Sequence, residues 1–437
     1  MLKRLDLRGK RIGLEHLLPP PNEAVSVPRD AVRQIIDQVR QGGDRAVREL
    51  TTRFDGVPLD HIYEARVPER ELAAAWHGLA PGLRAAMETA HRRILEFHRG
   101  EAGVGSTYAR DGVTIRSVSQ PVDRAGIYVP GGLAAYPSTV LMTALVARAA
   151  GVDDIALCSP PDAYGGLAAP VLAAAHLCGV TEVHRVGGVQ AIAALAYGTE
   201  TIRCVDVVAG PGNAWVATAK QLVAADVGVA SAFAGPSEIV VIADGTCPPA
   251  AAATDVVLQA EHGPGGRAWL VTWDAEVADA VCSAISQIVD LSPRRAETLA
   301  TLEADGFVCL VDDPAVAADV ANAVAPEHLQ LMCDGAEALA GRIRHAGAVF
   351  LGPWAPASLG DYVAGPSHVL PTAGTARFAG ALTTDDFTKR MHVIDVSESG
   401  FDLLAPAVAE LAQAEGLWAH AASVSRRKEW STSGVRP

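Results

Sequence analysis

Apolar residues in the first hundred positions recur at helical spacing. Val32, Ile35, Ile36 and Val39 share one face of Arg29 to Arg40, and the pattern stops at Gln41-Gly42-Gly43, after which Asp44 can cap a further helix. Pro81 to His98 predicts another amphipathic helix, with Pro81 in the tolerated first turn and Leu83, Met87, Ile94 and Leu95 on or near one face. From about Thr114 the texture changes. Short apolar runs (Ile127 to Val129, Ile155 to Cys158, Val183 to Val186, Val205 to Val208, Ile239 to Ile242, Trp269 to Thr272, Val308 to Val311, Val349 to Leu351) alternate with Ala-rich helical stretches. That alternation predicts βαβ units on parallel sheets, with enough chain for two α/β domains.

Composition narrows the class of function. The 437 residues carry 50 acidic against 36 basic side chains, a net charge of −14, and 49% are hydrophobic, which excludes a mainly disordered chain. No Lys/Arg cluster offers a grip on a phosphate backbone, so nucleic acid is not an expected partner. The basic start, Met1 to Arg11, is followed by only the short Leu14 to Leu18 stretch, so no signal peptide is predicted. The longest uncharged stretch, Ala125 to Ala147, is interrupted by Pro130, Gly131, Gly132 and Pro137 and predicts a strand, a turn and a helix, not a membrane span. Seven cysteines without a CxxC pair predict reduced thiols in a cytoplasmic protein, with none as a metal ligand. A small polar substrate fits this balance.

Several strand ends run into Gly-rich turns: Val129-Pro130-Gly131-Gly132, Val186-Gly187-Gly188 and Ala209-Gly210-Pro211-Gly212-Asn213. Open α/β sheets bind ligands at such carboxyl ends, and the helix N-terminus that follows favours an anion such as a pyrophosphate. None is a GxGxxG fingerprint, so tight strand-to-helix turns explain each equally well. Gln259-Ala260-Glu261-His262 ends a helical stretch and puts Gln259 and His262 on one face, half of a zinc site or a buried hydrogen-bonded pair. Pro326-Glu327-His328 reads as a first helical turn, where the positive helix end would keep His328 neutral beside Glu327 as an acid/base couple. Asp361, in Ser358-Leu359-Gly360-Asp361-Tyr362, suits a strand-end ligand or a turn. Ala414-Glu415-Gly416-Leu417-Trp418-Ala419-His420 adds an acid and a histidine near the C-terminus. Together Gln259, His262, Asp361 and His420 supply N,N,O,O donors suited to zinc or a similar divalent ion.

These motifs, with Tyr128-Val129-Pro130-Gly131-Gly132, Arg185 to Ala193, Ala234-Gly235-Pro236-Ser237-Glu238 and His368-Val369-Leu370-Pro371-Thr372, follow the order of one family. From about residue 25 to 425 the chain resembles the histidinol dehydrogenases. The resemblance implies a zinc enzyme that oxidises L-histidinol to L-histidine in two NAD-dependent steps through a held aldehyde, as a homodimer with intertwined C-terminal arms. It implies Gln259, His262, Asp361 and a partner-derived His420 as zinc ligands, and Glu327 and His328 as catalytic. It further implies Ser237, His368 and Glu415 as substrate contacts, and Tyr128, Gln190 and Asn213 as NAD contacts. The expected architecture is two incomplete Rossmann-like parallel-sheet domains with a helical N-terminal region and a C-terminal arm. Residues 1–25 would form an N-terminal arm. Residues 26–125 and 239–383 would make one discontinuous domain with the metal and acid/base residues, 126–238 the NAD-binding domain, and 384–437 the dimerisation arm.

Departures from the family pattern occur at Val229-Ala230-Ser231-Ala232-Phe233, at Ser367, and at Gly263-Pro264-Gly265-Gly266. They lie beside pocket residues and keep open a paralogue oxidising another small polar primary alcohol, such as an amino alcohol or a sulfonated diol. A zinc hydrolase would leave the Gly-rich turns idle, and a non-catalytic metal scaffold would leave Glu327-His328 idle as well.

Overall fold

A computed structural model describes residues 2–10, 13–20, 27–58, 65–103, 105–131, 135–230, 235–263 and 265–433. Gly132, Ala234, Pro264 and the run 231–233, all named above, lie outside the described residues. In chain order the strands are β1 (Lys3–Asp6), β2 (Ser106–Arg110), β3 (Val113–Pro121), β4 (Arg124–Tyr128), β5 (Asp154–Ser159), β6 (Glu182–Arg185) and β7 (Val207–Ala209). They continue with β8 (Gly228–Val229), β9 (Glu238–Ala243), β10 (Arg267–Thr272), β11 (Gly306–Leu310), β12 (His328–Met332), β13 (Ala348–Leu351) and β14 (Thr388–Val396). The chain forms two compact units, residues 1–102 with 122–387 and residues 103–121 with 388–437.

The first unit holds two wholly parallel sheets. One has six strands in the order β1-β11-β10-β9-β12-β13 and the other five in the order β6-β5-β4-β7-β8. Their central strands are apolar on both faces, as sheets covered by helices on both sides require. Each apolar run quoted above overlaps a strand. Helix Arg29–Asp55 is broken at Gly43, whose φ of 51° and ψ of −136° only glycine adopts readily. Asp44 does not cap the second half as expected, because its carboxylate accepts from the backbone and hydroxyl of Thr201. Among the described residues no helix is long and apolar enough to cross a membrane, and all seven cysteines are free.

Packing divides the chain differently from the expected boundaries. Val32, Ile35, Ile36, Val39, Val47 and Leu50 share a core with Ile192, Leu195 and Val216, so the early helices cover the five-stranded sheet. Helix Pro81–Glu101 joins that side through Met87, Ala90 and Ile94. Residues 3–6 are an edge strand of the six-stranded sheet, not a free arm. The second unit is an antiparallel sheet, β14-β3-β2, with helices Glu398–Ala414 and Trp418–Ser433. Residues 103–121 therefore belong with the C-terminal segment, an antiparallel pairing across some 270 residues of chain that no local periodicity reveals.

Candidate active site

A cleft of about 270 Å³ lies in the first unit. Ser237, Gln259, His262, Glu327, His328, Asp361 and His368 line it from the side of the six-stranded sheet, and Pro130, Tyr136, Ser138, Pro211 and Gly212 from the other. Its chemistry sits at the amino ends of strands. His328 opens β12 and Glu238 opens β9, with His328 paired to Ile239 in the register. This corrects one expectation, since the Glu327-His328 couple begins a strand, not a helix; the groups lie at the opposite sheet edge from the carboxyl ends where open sheets usually bind.

Gln259 sits in the last turn of helix Pro249–Ala260, and His262 follows just past its end. Gln259 is buried and donates to Asp361 Oδ2 at 3.0 Å. Asp361 lies in the short helix Ala357–Tyr362, not on a turn or strand end. Its Oδ1 accepts from His328 Nε2 at 3.1 Å, while His328 Nδ1 donates to the Glu238 carbonyl at 3.0 Å. Both of those acceptors can only accept, so both imidazole nitrogens carry protons and His328 is an imidazolium. Burial opposes that charge, but Glu327, 3.4 Å away, and Asp361 outweigh it and lift the imidazole to about 10. The neutral His328 expected from a helix dipole is thus replaced by one charged between two carboxylates. Burial likewise works against the Asp361 carboxylate, yet the His328 hydrogen bond and charge hold it below its ordinary range.

Glu327 is fixed through Oε2, which accepts from the Glu238 backbone N–H at 2.9 Å. One residue, Glu238, therefore orients both members of the couple through its main chain, a role no sequence signal announces. His368 donates from Nδ1 to the Asp361 carbonyl at 2.9 Å, and burial lowers its pKa, so a neutral ring keeps Nε2 as an acceptor. Ser237 lines the cleft, its carbonyl accepting from Arg267 N–H. Ser367 turns away, its hydroxyl donating to the Met142 carbonyl and accepting from Val369 N–H. That departure does not reach the cleft.

An amide oxygen, an imidazole and a carboxylate are donors that zinc accepts. Gln259, His262 and Asp361 present them to one cleft, and Gln259 with Asp361 is already in hydrogen-bond contact, so the set fits a divalent ion with one position to fill. Among the described residues no three His, Cys, Asp or Glu side chains are gathered as a metal site. Glu415 and His420 are exposed residues of the second unit, at the end of Glu398–Ala414 and in Trp418–Ser433.

A cavity of about 450 Å³ adjoins the carboxyl edge of the five-stranded sheet and shares Pro130 with the cleft. Tyr128, Gln190 and Asn213 line it with Ile35, Phe54, Asp55 and Trp215. Tyr128 ends β4, and its hydroxyl accepts from Gly188 N–H at the start of helix Gly188–Tyr197. Burial pushes that phenol up to about 12, so it stays protonated. Asn213 caps helix Ala214–Val223, its carbonyl accepting from Trp215 and Val216 N–H, which leaves its amide N–H₂ to donate. Gly210 has a φ of 113°, and a Cβ there would stand 2.0 Å from the Tyr128 carbonyl, so only glycine brings this turn against β4. Buried Lys220 donates to the Gly210 carbonyl at 2.7 Å from beneath. Gln190 donates to Asp55 at 3.3 Å. The sequence reading missed Asp55; its signal was an acid as the last residue of a helix, where the dipole disfavours it.

Residues 20–428 match the histidinol dehydrogenase family model. The histidinol dehydrogenase of Parasynechococcus marenigrum is 48% identical over 394 residues, 90% of this chain and 89% of its own. That of Gluconobacter oxydans is 45% identical over 402 residues, covering 92% and 93%. The crystal structure of histidinol dehydrogenase from Elizabethkingia anophelis superposes with a TM-score of 0.93 at 32% identity, covering 99% of both chains. With its two parallel sheets and its cleft in place, the chain belongs to the histidinol dehydrogenase family of oxidoreductases.

Proposed function

We propose that this protein oxidises L-histidinol to L-histidine in two successive NAD-dependent steps with a zinc ion in the cleft, the aldehyde staying bound between them. The observation that carries the reading is the convergence of Gln259, His262, Asp361, Glu327, His328 and His368 on one cleft that meets, at Pro130, the cavity lined by Tyr128, Gln190 and Asn213. Bound there, zinc would hold and orient the substrate's amine and imidazole, and NAD would accept hydride.

The chain's own residues supply the proton chemistry. His328 becomes a base when Asp361 leaves Nε2 and the Nε2 proton passes to solvent, because Nδ1 remains committed to the Glu238 carbonyl and fixes the tautomer. Neutral Nε2 then takes the alcohol proton as hydride departs, giving aldehyde, one NADH and one proton. Glu327, anchored through Oε2, uses Oε1 to draw a proton from water attacking the aldehyde. The hydrate, left as its oxyanion by that proton transfer, loses a second hydride to a second NAD and becomes the carboxylic acid, so two NADH form per alcohol and the added oxygen comes from water. His368 Nε2 and Ser237 suit the polar substrate. In a homodimer with intertwined C-terminal arms, His420 of the partner subunit would complete the metal site, and Glu415 would face the ammonium group. The product places the enzyme in histidine biosynthesis.

Ser367 points away from the cleft, which removes one support for the paralogue that oxidises a different polar alcohol. The test is a panel of histidinol, other amino alcohols and a sulfonated diol, read as NADH absorbance with and without a zinc chelator. Histidinol should be turned over preferentially and chelator-sensitively. Preference for another alcohol would move the protein to the paralogue, and hydrolysis without NADH would move it to a zinc hydrolase.

A further inference from the structure

Asp55 is the acidic group among the described residues lining the 450 Å³ cavity, and no Lys or Arg is among them. It ends helix Arg29–Asp55, so it sits at the helix's negative pole, and Gly56 follows in the left-handed conformation. Gln190 Nε2 donates to its carboxylate at a long 3.3 Å. Burial raises its pKa to about 6, which still leaves it a carboxylate at neutral pH. Its neighbours Ile35, Phe54, Val189 and Trp215 are apolar. Helices Gly188–Tyr197 and Ala214–Val223 start on the walls of the same cavity, beside Gln190 and Asn213, presenting the positive helix ends that suit a diphosphate.

We propose that Asp55 is the residue that selects the nucleotide: its carboxylate accepts hydrogen bonds from a ribose diol and repels a 2′-phosphate. The inference rests on the NAD reading of this cavity and deepens it. A carboxylate only accepts, and the groups of a dinucleotide that can repay its poor solvation are donors, chiefly the ribose hydroxyls. A 2′-phosphate would bring two more negative charges against Asp55 in a site without a countercharge on its described walls, a discrimination by repulsion. Gln190 acts as the positioning residue, because its amide holds the carboxylate.

The test is equilibrium binding of NAD and NADP to the full-length protein by calorimetry, with Trp215 fluorescence as a second readout that needs no turnover. Wild type should bind NAD and discriminate against NADP by about 30-fold or more. Asp55→Asn, which keeps the shape and an acceptor for Gln190, should lower that ratio at least ~10-fold, mainly by improving NADP binding. Asp55→Glu keeps the charge and should keep the discrimination, which also covers the case of an Asn variant that fails to fold. An unchanged NAD/NADP ratio in Asp55→Asn overturns the proposal, as does wild type binding both nucleotides equally. A change confined to the hypoxanthine analogue of NAD also overturns it, since Asp55 would then be reading the base. Wild type binding neither nucleotide fails the NAD reading itself, an outcome separate from the others.

Discussion

Two edges of two similar sheets carry opposite chemistry. At the carboxyl edge of the five-stranded sheet, helices begin and glycine turns press close against a largely apolar cavity. At the amino edge of the six-stranded sheet a helix ends, and Gln259 and His262 stand at its C-terminal pole beside Glu327, His328 and Asp361. Helix N-termini favour anions and C-termini favour cations, so one edge suits a diphosphate and the other a metal ion and an imidazolium. The charge accounting differs as well. In the cleft, His328 is balanced by two carboxylates, whereas in the cavity Asp55 is pushed up by burial with one long hydrogen bond. A balanced network holds itself in place, and an unbalanced charge points to a ligand that completes it.

The strongest way to break this contrast is to remove the balanced couple. His328→Asn or Glu327→Gln should cut histidinol turnover by roughly 10²- to 10⁴-fold, the usual span for a general acid or base, with zinc content unchanged by atomic absorption. Unaltered turnover would remove the residue from the chemistry. Next in size, Asp361→Asn should weaken zinc retention against a chelator by on the order of 100-fold, as losing a charged ligand or its support does. Zinc held as in wild type would place the metal elsewhere.

Smaller effects lie at the nucleotide edge. Burial lowers Lys220 to about 7 from its ordinary 10.5, so between those pH values the unfolded chain binds a proton that the folded chain does not. Stability should therefore rise from pH 7 to 10, and the cost is fully present below 7. Lys220→Met should abolish that rise, a change of about 4 kcal/mol at most, read as melting temperature against pH. Asp55 runs the other way, its folded pKa being raised from 3.8 to about 6. Its cost appears as pH climbs from 4 to 6 and is complete above. Asp55→Asn should raise stability at pH 8 by about 1 kcal/mol, discounted for its partial exposure, and leave it unchanged at pH 4. A destabilised variant at pH 8 would contradict an unsatisfied carboxylate.

Much of this was legible in the sequence because it is local. Apolar runs of three or four residues located the strands, and Gly42-Gly43 marked the helix break. The motifs Gln259-Ala260-Glu261-His262 and Glu327-His328 named residues that meet in the cleft. What escaped was non-local or carried by the backbone. β2, β3 and β14 pair across most of the chain and carry mixed, exposed faces without a clean alternation. β12 begins at His328 after Pro326, a proline that reads equally well as a helix start, so the helix-dipole argument for a neutral imidazole failed with it. Glu238 contributes through its main chain, and Asp55 lies some 70 residues from the nearest glycine turn of its cavity.

The central claim is that one cleft carries the substrate through both oxidations beside one nucleotide cavity. It is tested most directly by adding limiting L-histidinol to the zinc-loaded protein with excess NAD and following absorbance at 340 nm to completion. The account predicts two NADH per histidinol with histidine as the product and no free aldehyde. One NADH per histidinol with aldehyde released, or none at all, would contradict it.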